Sequence, residues 1–66
     1  MKNTIKVQRA IANLTQEELA KKVSVSRQTI NAMEANKYVP STVLALKIAK
    51  IFKKSVEEIF ILEKKD

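Results

Sequence analysis

The sequence predicts an all-α fold, a compact five-helix bundle whose two ends add a short two-stranded β-ribbon. Three observations predict it. Thr15, Ser26, Ser41 and Ser55 each stand immediately ahead of a stretch with helical apolar spacing, the place of an N-cap. Thr15 and Ser55 are each followed three residues later by a glutamate, Glu18 and Glu58, which makes both of them capping boxes. The chain contains no glycine and a single proline, Pro40, so its helices are punctuated by caps rather than by breakers.

The first helix runs from about Thr4 to Ala12, with Ile5, Val7, Ala10, Ile11 and Leu14 at helical spacing. Thr15-Gln16-Glu17-Glu18 opens a second helix, Gln16 to Lys22. Leu14 and Leu19 form its hydrophobic staple, and Leu19, Ala20 and Val23 face inward. Ser26 caps a third helix, Arg27 to about Ala35, stapled by Val25 and Ile30. Only Val23-Ser24-Val25-Ser26 separates these two helices, which forces them into close contact. Asn36 to Val39 form a loop closed by Pro40. Ser41 then caps a fourth helix, Thr42 to Phe52, whose Leu44, Ala45, Ile48, Ala49 and Phe52 make one apolar stripe. Ser55 starts a short fifth helix. The run Ile59-Phe60-Ile61-Leu62 is β-prone, and Phe60 to Leu62 favour a short strand pairing with Met1 to Asn3.

A chain of 66 residues permits one domain, residues 1–66, with an economical core. It contains neither Cys nor His. That excludes disulfides, zinc fingers, haem sites and catalysis through an imidazole or thiolate, so no metal or cofactor is expected. No apolar run reaches the length of a membrane span, and Lys2-Asn3-Thr4 leads into no signal-peptide core; the expectation is a cytoplasmic protein with no membrane partner. The net charge is +6, with a pI near 9.9. Such a balance points to a polyanionic partner, although a charge of this size also suits a merely soluble surface.

Helix, short turn, helix in a basic chain is the outline of a helix-turn-helix. Ala20 lets the two helices cross closely, and Ile30 and Met33 pack back against it. Arg27, Gln28 and Asn31 are left on the outer side, near the helix start. Arg pairs with guanine O6 and N7, and Gln and Asn pair with adenine N6 and N7. The segment Leu14 to Pro40, L-T-Q-E-E-L-A-K-K-V-S-V-S-R-Q-T-I-N-A-M-E-A-N-K-Y-V-P, resembles the Cro and phage-repressor type of helix-turn-helix, the xenobiotic-response-element family of transcriptional regulators. The stretch S-R-Q-T-I-N followed by E-A-N-K-Y-V-P-S is similar to a subgroup of very short bacterial and archaeal regulators that includes the repressor of the cytolysin operon. The resemblance continues through L-A-L-K-I-A-K-I-F and S-V-E-E-I-F, and so covers nearly the whole chain.

This resemblance implies a lambda-repressor-like DNA-binding domain, its motif at about residues 16–35 and its recognition helix at about 27–35. It implies base contacts from Arg27, Gln28 and Asn31. Gln16 matches a glutamine that touches phosphate and buttresses the recognition helix. Ser26, Thr29, Lys37 and Tyr38 match positions near the sugar–phosphate backbone. Arg9 and Glu34 match an ion pair that ties the first helix to the third. The family commonly carries glycine in the motif turn, after the recognition helix and after the fourth helix, where this chain has Ser24, Asn36 and Lys53. Asn tolerates a left-handed backbone, whereas Ser and Lys adopt it at roughly 1 kcal/mol each. Ala32 stands where some phage repressors carry a base-reading glutamine, so one base contact is missing.

Plainer readings stand beside these. Arg27, Gln28 and Asn31 are otherwise a solvated helix face, Gln16 an exposed first helical residue, and Tyr38 a ring stacked on Pro40. Lys47, Lys50, Lys53 and Lys54 read as a solvated face. Val56, Ile59, Ile61 and Leu62 offer more apolar surface than a domain this small leaves at its edge, and serve packing within the monomer, a homodimer interface, or both. The expected function is a sequence-specific regulator, a repressor, gripping an inverted repeat in double-stranded DNA as a homodimer, without a small-molecule ligand and without enzyme activity. The alternative is an antitoxin-like protein-interaction module of the same fold.

Overall fold

The computed structural model describes residues 1–66 in the order β1 (Lys2–Asn3), α1 (Ile5–Ala12), α2 (Gln16–Lys22), α3 (Arg27–Glu34), α4 (Thr42–Phe52), α5 (Val56–Ile59) and β2 (Phe60–Ile61). Four helix starts follow the caps. Thr15, Ser26, Ser41 and Ser55 hold extended backbone, and each hydroxyl accepts from the backbone N–H three residues on. Glu18 and Glu58 complete the boxes by accepting from the Thr15 and Ser55 N–H groups at 2.9 and 3.0 Å. α1 starts differently. Its flanking Thr4 makes no cap bond, and the side-chain oxygen of Asn3 accepts from the Ile5 N–H at 3.1 Å instead.

The helix ends are closed without glycine. α1 to α4 are each followed by a residue in the left-handed region: Asn13 (φ 58°), Ser24 (60°), Asn36 (61°) and Lys53 (56°). The next N–H in each case reaches back to a carbonyl of the last turn: Leu14 to Arg9 at 2.9 Å, Val25 to Ala20 at 3.0 Å, Lys37 to Ala32 at 2.9 Å and Lys54 to Ala49 at 3.1 Å. These bonds satisfy carbonyls that would otherwise be orphaned, and they hold Ser24 and Lys53 in a conformation their Cβ atoms oppose. Asn13 was not singled out by the sequence, yet it plays the same part.

One core draws on every helix, with Ile5, Leu19, Ile30, Met33, Ile48 and Ile59 fully enclosed. Two expectations are corrected here. On α1 only Ile5 is buried; Val7 and Ile11 point to solvent, Ile11 being 74% exposed. Helical spacing fixes which residues share a face but not which face turns inward. One turn beyond Ile5 the inward position belongs to Arg9, whose ion pair with α3 does the joining. The second concerns Ile59, for which packing within the monomer and a homodimer interface were both open; the structure gives it to packing within the monomer. It is 0% exposed, turned into the core at the end of α5, and offers a second copy nothing. Phe60 also turns inward. Ile61 (45% exposed) and Leu62 (78%) form the outer edge.

The termini form the antiparallel ribbon, Lys2 opposite Ile61 and Asn3 opposite Phe60. Just inside it, the Thr4 N–H donates to the Ile59 carbonyl at 2.8 Å and the Thr4 hydroxyl to the Glu58 carbonyl at 3.2 Å. The Met1 ammonium lies 3.1 Å from Glu63 and 2.9 Å from Asp66.

Candidate nucleic-acid interface

α2 and α3 pack on each other across the short turn. Ile30 and Met33 bury one side of α3, while Arg27, Gln28 and Asn31 stand exposed on the other. The Ser26 hydroxyl accepts from the Thr29 N–H at 3.1 Å and lies 3.0 Å from the Thr29 hydroxyl. Ser26 is exposed and Thr29 half-buried at the helix start, and Lys37 and Tyr38 are exposed in the loop beyond its end. The polar face is thus flanked at both ends by groups able to meet a phosphate chain.

Behind that face lies a continuous hydrogen-bonded chain from three helices. Arg9 of α1 donates through Nε to Glu34 Oε2 at 2.6 Å and through Nη2 to Oε1 at 3.0 Å, a bidentate pair. Its remaining nitrogen, Nη1, donates to the Leu14 carbonyl at 3.0 Å, ahead of α2. Gln16 of α2 donates from Nε2 to Glu34 Oε1 at 3.1 Å and to Asn31 Oδ1 at 3.3 Å. Burial alone would raise the Glu34 carboxyl; the hydrogen bonds from Arg9 and Gln16 and the charge of Arg9 outweigh it and hold the group below its ordinary value. The bond to Glu34 holds Arg9 above its own. Sequence reasoning missed Asn3, whose Nδ2 donates to the Met33 carbonyl at 2.7 Å and to Asn36 Oδ1 at 3.3 Å, fastening the end of α3 to the ribbon. The expected pairing of Met1 to Asn3 with the C-terminal strand marks the backbone there, but not the reach of this side chain to α3.

An open groove of about 330 Å³ is lined by Met1, Val39, Pro40, Thr42, Ala45, Leu46, Val56 and Phe60.

The pattern of the helix-turn-helix family matches residues 5–59. The chain belongs to that family, in its Cro/C1-type branch. Its relatives include an uncharacterized HTH-type transcriptional regulator of Methanocaldococcus jannaschii, 62% identical over 63 residues that cover 96% of each chain. One from Archaeoglobus fulgidus is 50% identical over 66 residues, 100% of this chain and 93% of its own. Another from Bacillus subtilis is 47% identical over 66 residues, 100% of both. Membership makes the protein a DNA-binding transcriptional regulator and not an enzyme. No helix is long and apolar enough to cross a membrane.

Proposed function

We propose that residues 1–66 act in the cytoplasm as one sequence-specific DNA-binding domain, a repressor that holds an inverted-repeat operator as a homodimer. The observation that carries this reading is the exposed trio Arg27, Gln28 and Asn31 on a helix whose opposite side is wholly buried. These side chains enter the major groove and meet base edges. Gln16, Ser26, Thr29, Lys37 and Tyr38 meet the backbone around them, and such contacts fix register without carrying sequence information. Occupying an operator that overlaps a promoter excludes polymerase, which is repression in its simplest form.

Dimensions support the second copy. The longest extent of the chain is 31 Å. Half-sites one helical turn apart lie about 34 Å from each other, so a single copy with one recognition helix reads one of them. Ile61 and Leu62 stand exposed at the ribbon edge, and an apolar groove holding Val56 and Phe60 lies open, so the chain offers both exposed apolar side chains and a recess. A two-fold interface needs that self-complementarity.

Arg27→Ala and Gln28→Ala should each lose roughly 1–3 kcal/mol of operator binding with unchanged thermal unfolding. A gel-shift titration in which both variants bind as wild type would remove α3 from the groove.

A further inference from the structure

We propose that Asn31 turns its hydrogen-bond donor, Nδ2, toward its base, and that Gln16, Glu34 and Arg9 impose this polarity through their hydrogen-bonded chain. The inference rests on the reading of α3 as the recognition helix.

The logic follows the donors and acceptors in order. Arg9 can only donate, and both Glu34 oxygens accept from it. An ionised carboxylate can only accept. The Gln16 atom facing Glu34 Oε1 at 3.1 Å must therefore be Nε2 and not the amide oxygen. That same Nε2 lies 3.3 Å from the Asn31 side chain, so the Asn31 atom turned toward it must be Oδ1. An amide is planar, and its oxygen and nitrogen diverge from the same carbon. Turning Oδ1 back toward Gln16 leaves Nδ2 on the exposed side of α3 with both of its hydrogens to give.

An unconstrained asparagine pairs bidentately with adenine, donating to N7 and accepting from N6. The relay engages one of the two lone pairs of Oδ1 and turns that oxygen toward Gln16, which weakens the accepting half of that pairing. In the major groove guanine offers two acceptors, N7 and O6, whereas cytosine offers only its N4 donor. Asn31 thus favours guanine and rejects cytosine, and Gln16 is a positioning residue for that choice in addition to any phosphate contact it makes.

The test selects duplexes from a randomised inverted-repeat pool with the wild-type protein, then titrates all four bases at the position whose preference Asn31→Ala erases. Guanine should bind roughly tenfold tighter than cytosine there. Gln16→Ala leaves the Arg9–Glu34 pair and the Thr15–Glu18 capping box in place and frees the Asn31 amide to turn. Adenine should then equal or overtake guanine at this position, while preferences elsewhere stay unchanged. Asn31→Asp keeps the bond from Gln16 but turns oxygen outward, and should shift the preference to cytosine. A Gln16→Ala variant that weakens binding equally for all four bases would overturn the proposal, since a phosphate contact alone acts that way. A wild-type adenine preference that survives Gln16→Ala overturns it too, leaving the recognition-helix reading intact. A wild-type protein that selects no consensus overturns both.

Discussion

The two surfaces proposed to meet DNA and a second copy are built in opposite ways. The outer face of α3 is polar, and its supports are complete in one copy: Arg9, Glu34 and Gln16 bond each other and reach Asn31. The ribbon edge is apolar, with Ile61 and Leu62 exposed. Hydrogen bonds are directional, so a face that reads a pattern needs its polarity set before the ligand arrives. Apolar contact has no such direction, and a matching shape on a second copy suffices.

The sharpest way to break this contrast is to remove the support of the polar face. Arg9→Ala leaves the nearly enclosed Glu34 carboxylate without its cation, and should lower stability by about 3 kcal/mol in urea unfolding. For so small a domain that is a large part of the total. The same pair sets an acid limit. Because Glu34 is held below its ordinary value, its contribution is full above about pH 4.3 and is lost as pH falls through the depressed value. Wild-type stability should fall in that window, and the fall should flatten in Arg9→Ala.

At the other surface, Ile61→Lys should leave the fold intact and abolish the dimer. Light scattering should give twice 7.5 kDa for wild type at about tens of micromolar and the single-chain mass for the variant, which should also bind a full operator more weakly. A wild type that stays at 7.5 kDa would remove the second copy from the reading. Lys37→Ala should make the log–log salt dependence of binding shallower by about one without altering base preference. The smallest effect touches neither surface. Ser24→Gly and Lys53→Gly should each raise stability by less than about 1 kcal/mol, since relief of the left-handed strain is partly offset by a more flexible unfolded chain. Operator affinity should stay as it was.

Much of this was legible in the sequence because caps are local. Thr15, Ser26, Ser41 and Ser55 each mark a helix start within one turn of chain, and the observed starts follow them. The left-handed positions Ser24, Asn36 and Lys53 were legible only through the glycines of related proteins, since Ser and Lys announce nothing by themselves. The direction of a face was not legible. Val7 and Ile11 have the spacing of a core stripe but the core takes Ile5 and leaves the next inward place to Arg9. Ile59 and Ile61 belong to one apolar run, and only the switch from helix to strand between them decides which is enclosed. The polarity of Asn31 needed three helices in position before any atom of it could be assigned.

Asn3 belongs to both surfaces at once. It sits opposite Phe60 in the ribbon, and its side chain grips the end of α3 at Met33, 2.7 Å away. In a pair joined at the ribbon edge, each recognition helix is therefore pinned to the joint rather than hung from it. Such a pair behaves as a gauge with two fixed teeth. One extra base pair between half-sites turns the second half-site by about a tenth of a revolution, which a pinned tooth cannot follow. The length of the spacer then becomes part of the address, written in base pairs that no side chain touches.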